Sequence, residues 1–240
     1  MPNEQKYKRV ILKLSGEALR ASGSKDNISP EIVDRIAREI KAVVDQGVQV
    51  GIVVGGGNFW RGASASNRGM DRATADYVGM LATVMNSLAL QSAIRAEGVE
   101  VIVQTAIQMQ NVADPFIRHK ALRHLKHGRV VIFGAGTGSP FFSTDTTAAL
   151  RASEMGADAI FKATMVDGVY DSDPKKNPAA KRYETVTFQT CLEKQLKVMD
   201  ATAFSLCMEN DIPVVVFDLG AEGNVTKALV GEDIGTKVHL

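Results

Sequence analysis

Short β-branched runs alternate along the chain with longer stretches whose apolar residues recur every three or four positions. The short runs predict strands at Arg9–Leu14, 48–54, 99–103, 129–133, 159–163 and 214–217. Val130-Val131-Ile132-Phe133 and Val214-Val215-Val216-Phe217 are apolar at consecutive positions, the pattern of strands covered on both faces. Between them, Ser29-Pro30-Glu31 reads as a helix start, with a Ser cap, Pro in the first turn and an acid behind it. Ile32, Val33, Ile36, Ile40, Val43 and Val44 then follow at helical spacing. Residues 71–96 form a longer helical pattern with apolar residues around much of its circumference. Asp114-Pro115 repeats the cap-and-proline start and predicts a helix to about Leu125; others are expected at about 144–155 and 200–210. This alternation predicts an α/β fold, a helix–sheet–helix sandwich around a mainly parallel sheet, with no linker dividing residues 1–240. The segment 171–187 is too long for an ordinary connection and reads as an excursion near a site.

Composition narrows the functional classes. The 240 residues carry 28 Lys and Arg against 27 Asp and Glu, so the basic excess of a nucleic-acid binder is absent. No uninterrupted apolar run approaches the ~20 residues of a membrane helix, and the first residues lack a signal-type stretch. Cys191 and Cys207 match no common metal or redox spacing. A soluble cytoplasmic protein is the expectation.

Three loops at predicted strand ends carry candidate chemistry, since open α/β sheets bind ligands there. Lys13-Leu14-Ser15-Gly16 places an ammonium beside small residues, which suits a polyphosphate; a solvated lysine beside a turn fits equally well. Gly55-Gly56-Gly57 precedes Asn58-Phe59-Trp60-Arg61, and three glycines in a row suit backbone that approaches an anion closely, with Arg61 as a bidentate phosphate ligand. The third loop runs Gly134-Ala135-Gly136-Thr137-Gly138-Ser139-Pro140-Phe141-Phe142-Ser143-Thr144-Asp145 into a helix. On its own Asp145 reads as that helix's cap, and at least one of Phe141 and Phe142 is expected in the core. None of the three loops is a P-loop. A dinucleotide fingerprint fails too, with Ser139 at the third glycine position and Lys162-Ala163-Thr164 where a ribose-binding acid belongs.

In this order the loops resemble the amino-acid kinase superfamily, and within it the uridylate (UMP) kinases of bacteria. The likeness runs over essentially the whole chain. Its most specific pieces are the segment from Asp76-Tyr77-Val78-Gly79 to Met85-Asn86, the stretch from Gly136 to Asp145, Lys162-Ala163-Thr164-Met165-Val166-Asp167-Gly168-Val169-Tyr170, and Leu196-Lys197-Val198-Met199-Asp200. The resemblance implies a homohexamer that transfers the γ-phosphoryl group of Mg-ATP to UMP, giving UDP and ADP. Lys13, Leu14, Ser15, Gly16, Gly57 and Arg61 would hold the ATP phosphates, and Thr164, Tyr170 and Asp173 its nucleoside. Gly56, Asp76 and Thr137, Gly138, Ser139, Pro140, Phe141, Phe142, Ser143 and Thr144 would hold UMP. Lys13, Arg61, Asp145 and Asp200 would be catalytic, with the carboxylates orienting lysines and magnesium. Either Lys162 or Lys197 would be a second cation, and the sequence does not choose; direct metal ligands are likewise unassigned. UTP feedback inhibition is expected through the UMP pocket. Relatives use the segment before the first helix in GTP activation, but here Ala21-Ser22-Gly23-Ser24-Lys25-Asp26-Asn27 lacks their glycine-flanked aromatic, and the sequence leaves GTP activation open. Two other readings of the loops remain open: a non-catalytic nucleotide binder of the same fold, and a kinase for another acceptor such as an amino acid or carbamate.

Overall fold

The computed structural model describes residues 6–60, 69–174, 176–196 and 198–240. Among the described residues, nine strands form one sheet in the order β4-β3-β5-β2-β1-β6-β8-β9-β7. They are β1 (Arg9–Leu14), β2 (Gln49–Val54), β3 (Val101–Thr105), β4 (Asp114–Pro115), β5 (Val130–Gly134), β6 (Ala159–Thr164), β7 (Thr185–Thr187), β8 (Val214–Asp218) and β9 (Thr236–His239). From β4 to β8 every pairing is parallel; β9 runs antiparallel to β8, and β7 pairs parallel with β9. Each of the six predicted strands is present. The third lies two residues later than its apolar run suggested, because Val99 is buried in the turn leading to β3.

Side-chain alternation along the strands separates two cores. Val10, Leu12, Leu14, Ile52, Val54, Phe161 and Phe217 pack under α1 (Pro30–Val44), α2 (Arg72–Ala96) and α7 (Asn224–Val230). Ile11, Val53, Val131, Phe133, Ile160 and Val216 point to the other face, under α3 (Arg118–Lys126), α4 (Thr144–Met155), α5 (Phe188–Glu193) and α6 (Ala201–Glu209). Buried apolar surface of this kind is the main source of stability in such a sandwich.

Two expectations about helices need correction. Asp114-Pro115 does not open a helix: it is a two-residue edge strand on β3, and α3 begins at Arg118 after an Ile117 cap without a side-chain hydrogen bond. The proline fits there because an edge strand does not need its missing N–H. By length and composition α2 is apolar enough to cross a membrane, although no single run in it is uninterrupted. Half of that stretch is buried inside the protein, and its buried Thr83, Asn86 and Ser87 are hydrogen-bonded within the fold.

The last strand depends on one glycine. Gly235 has φ +73°, and a Cβ there would lie 2.0 Å from the Val216 carbonyl oxygen. Gly235→Ala is therefore expected to cost about 2–4 kcal/mol by combining backbone strain with a clash against β8. A denaturant midpoint within error of the unsubstituted protein would contradict this.

Candidate active site

The site begins with a register. β1 and β6 pair in parallel with Lys13 opposite Lys162, so the two side chains leave the sheet on the same face. Two neighbouring ammonium groups in a partly dry site repel strongly unless a counter-charge lies between them. Asp145, one residue into α4, supplies it: Oδ1 lies 2.7 Å from Lys13 Nζ and Oδ2 2.6 Å from Lys162 Nζ. Burial pushes the Asp145 carboxyl upward, but the two ammonium groups outweigh it and hold the pKa below the ordinary carboxylate value of 3.8. Burial, with Lys13 adding to it, outweighs the attraction of Asp145 and holds Lys162 below its ordinary 10.5. Lys162 also donates to the Val198 carbonyl. The Asp200 carboxylate also acts on Lys162, so the two ammonium groups sit among two carboxylates.

Asp145 is thus not the helix cap expected from its position. Ser143 takes that role, accepting from the Asp145 and Thr146 amides at 2.9 and 3.2 Å. Its hydroxyl is donated in turn to Asp200, which also accepts from Thr146 Oγ1 at 3.0 Å and caps α6 through the Ala203 amide at 3.0 Å. Asp200 therefore ties the start of α4 to the start of α6. Of the two candidates for the second cation, Lys162 is in the cluster and Lys197 lies outside the described residues, as does the predicted phosphate ligand Arg61.

The glycine loops meet one another. A Cβ on Gly16 would lie 2.5 Å from Asn58 Oδ1 and 2.7 Å from both the Gly55 oxygen and the Gly57 nitrogen. On Gly56 it would lie 2.7 Å from the Gly79 oxygen in α2 and 2.9 Å from Ala82 Cβ. The run 55–57 thus has an intramolecular reason to be glycine, the close approach of loop to loop and of loop to helix. Leu14 has its side chain in the core, leaving only its backbone to the site, and the Ser15 hydroxyl accepts from the Ala18 amide at 3.2 Å.

A cavity of about 440 Å³ is lined by Asp145 and Lys162 themselves, and two more carry the predicted ligand residues. One of about 210 Å³ is lined by Gly56, Asp76, Thr137, Ser139, Phe142, Ser143 and Thr144 among the predicted acceptor residues. Trp60, Gly79, Met80, Thr83 and Gly136 also line it, and the sequence had not marked them as ligands. Gly138, Pro140 and Phe141 do not line it. The other, about 590 Å³, is lined by Lys162, Thr164, Tyr170 and Asp173, with the excursion after residue 170 forming much of its wall. Neither phenylalanine of the third loop enters the core: Phe141 is 69% and Phe142 51% exposed. Phe141 has φ 72°, and its N–H is held by Asp76 Oδ2 at 2.8 Å, so Asp76 is not a free surface acid. Arg72 pairs with the same carboxylate at 2.9 Å, and its guanidinium carbon lies 5.9 Å from the Phe141 ring centroid.

Sequence inspection also passed over an amide pair. Asn86 Nδ2 donates to Gly55 O at 2.7 Å and to Asn58 Oδ1 at 2.8 Å, while Asn58 Nδ2 donates to Asn27 O at 2.8 Å. Asn58 lies in the loop and Asn86 among the buried polar residues Thr83 and Ser87 of α2, and no spacing in the sequence pairs them.

A parallel sheet whose strand ends carry glycine loops and a paired-lysine centre, with cavities opening among them, is the arrangement of an α/β enzyme that takes its ligands at those ends. The comparisons agree. The model of the amino acid kinase family matches residues 8–218. A UMP kinase from Bacillus anthracis is 41% identical with a TM-score of 0.93, the alignment covering 97% of this chain and 96% of that one. A UMP kinase from Ureaplasma parvum is 39% identical at TM-score 0.92, covering 97% and 99%. A uridylate kinase from Archaeoglobus fulgidus is 34% identical at TM-score 0.73, covering 95% and 99%. The chain belongs to the amino acid kinase family.

The Asp145 cluster makes a pH-dependent contribution to stability. Because the folded pKa is lowered, that contribution is complete above the ordinary value of 3.8 and is lost as the pH falls through the folded value. Asp145→Asn is expected to cost about 3 kcal/mol at pH 6, since it leaves two buried cations unpaired. The gap between the two proteins should narrow only below pH 3.8, read by urea unfolding across pH 3–7. A gap that closed well above that value would contradict the assignment.

Proposed function

We propose that this chain is a nucleoside monophosphate kinase that transfers the γ-phosphoryl group of ATP to UMP, giving UDP and ADP in pyrimidine nucleotide synthesis. The observation that carries this reading is the Lys13–Asp145–Lys162 cluster, with Lys162 lining a cavity of about 590 Å³ and a separate cavity of about 210 Å³ formed by Gly56, Asp76 and the loop that leads to Asp145. The kinship with UMP kinases supports the choice of acceptor. ATP takes the larger cavity, its nucleoside against Thr164, Tyr170 and Asp173 and its phosphates toward Lys13, Ser15, Gly16, Gly57 and Arg61. UMP takes the smaller one, its ribose on Asp76 and its phosphate near Gly56 and the 137–144 segment.

In the reaction an oxygen of the UMP phosphate bonds to the γ-phosphorus, and the bond from that phosphorus to the oxygen bridging to the β-phosphate breaks, leaving ADP. The attacking oxygen is already anionic, so positioning and charge neutralisation are what the protein must supply. Lys13 and Lys162 face the charge on the transferring group. Asp145 keeps the two ammonium groups together before substrate arrives, and Asp200 fixes the helix starts that hold it. Among the described residues no group of three or more His, Cys, Asp or Glu side chains forms a metal cage. Asp145 is bridged by ammonium groups, and Asp200 is engaged by hydroxyl and amide donors. Magnesium brought in with ATP would thus rest chiefly on nucleotide oxygens, where it neutralises phosphate charge.

The assembly in this proposal is a cytoplasmic homohexamer of single-domain subunits. Tyr77, Leu81 and Met85 on the outer side of α2 are exposed apolar residues of the sort a subunit contact covers. UTP would inhibit by occupying the acceptor cavity through its uridine; GTP activation is not part of the proposal.

Turnover measured as ADP release across UMP, CMP, an amino acid and carbamate should favour UMP strongly, and equal rates would reject the acceptor. Lys13→Ala should lower kcat/KM by about 10²–10³-fold while circular dichroism stays native, the scale of losing one fixed charge in a preorganised site. Near-normal UDP formation by that variant would reject the mechanism. Light scattering should give the mass of six subunits; a monomer at micromolar concentration would reject the assembly.

A further inference from the structure

Both glycine loops are fastened to one face of α2. Asn86, fully buried, holds the loop after β2 through the Gly55 carbonyl at 2.7 Å and through Asn58 at 2.8 Å. Three residues earlier, Thr83 Oγ1 accepts the Ala135 N–H at 2.8 Å and donates to the Met80 carbonyl at 2.7 Å. Ala135 opens the loop after β5 with φ 60°, a left-handed conformation that residues with a Cβ adopt rarely, and it is fully buried. That backbone needs an external hold, and Thr83 provides one. The polar atoms of Thr83 and Asn86 end on loop main chain, on the helix itself or on the Asn58 amide, and neither residue pairs with a charged group.

We propose that Thr83 and Asn86 are positioning residues for phosphoryl transfer, which set the spacing between the loop at Gly55–Gly57 and the loop at Ala135–Ser139. The inference rests on the kinase reaction proposed above. Neighbours on adjacent helical turns form a short rigid ruler, because residues three apart lie on one face. Misplacement by about 1 Å of groups that orient reactants costs on the order of 10²-fold in rate, so a ruler acting on both loops bears on kcat rather than on affinity. Thr83 also lines the acceptor cavity, and a direct contact with bound substrate would instead register in KM.

The test compares Thr83→Val, which removes the hydroxyl and keeps the shape, with Thr83→Ser, which restores it. Asn86→Asp keeps the shape but turns the donor facing the Gly55 carbonyl into an acceptor. Leu90→Ala, a core truncation on the same helix, reports what lost stability alone does. For each variant kcat and both KM values are measured per folded molecule, with the melting temperature alongside. The expectation is a kcat lower by about tenfold or more in Thr83→Val and Asn86→Asp, with KM within about threefold. Thr83→Ser should recover kcat to within about threefold of the unsubstituted enzyme, and Leu90→Ala should keep kcat per folded molecule. If Asn86→Asp does not fold, the threonine pair decides. The proposal is overturned if Thr83→Val keeps full kcat, if serine does not restore it, if the change lies in KM alone, or if Leu90→Ala loses kcat equally. An unsubstituted protein inactive with every acceptor would overturn the reaction itself, a result visible before any variant is made.

Discussion

Two lysines on adjacent strands share one carboxylate, and the rest of the molecule is arranged so that they can. Lys13 and Lys162 are neighbours because β1 and β6 pair in register, at the place where the chain changes direction across the sheet. Left alone in a site this buried, the two charges would repel each other strongly. Asp145 cancels one of them without removing either ammonium group. It can do so only because Ser143 starts α4 and Asp200 anchors that start to α6. The result is a small centre in which two ammonium groups are held together by their own counter-ion and stay available to an incoming phosphate.

Around that centre, close backbone packing replaces bulk. The turn after β1 and the loop after β2 touch through Gly16, Gly55 and Asn58, and Gly56 lies against the main chain of α2. The third loop crosses the same helix through Thr83 and Asp76. Helix α2 therefore bridges pieces of chain far apart in sequence, and this explains why so apolar a helix carries buried threonine and asparagine. Its inner polar residues organise the loops while its outer apolar residues face away from the sheet.

Much of the architecture was legible because its signals are local and repetitive. Consecutive apolar residues such as Val130-Val131-Ile132-Phe133 marked strands covered on both sides, and Ser29-Pro30 marked the start of α1. What escaped depended on partners. β4, β7 and β9 are short, and their pairing is dictated by edges far away in the chain, while α5 and α7 are too short to show a clear period. Asp114-Pro115 carried a helix signal, but the position beside β3 prevailed. Within the site, the glycine loops, Lys13, Asp76 and Asp145 could be named from residue type and order. Which group capped α4, which lysine faced Lys13, and that Asn58 and Asn86 formed a pair are matters of register and packing, which no short motif encodes. Phe141 and Phe142 show the same limit: aromatic side chains suggest a core, yet the positive φ of Phe141 and its tie to Asp76 keep that segment outside it.

The central claim is that phosphoryl transfer takes place between two separately bound nucleotides at the paired lysines. A crystal structure of the protein with UMP and a non-hydrolysable ATP analogue tests it most directly. The account predicts one nucleoside in each cavity, with the terminal phosphate of the analogue contacted by Lys13 and Lys162 and facing the UMP phosphate. Both nucleotides in one cavity, or a terminal phosphate remote from Lys13, would contradict it.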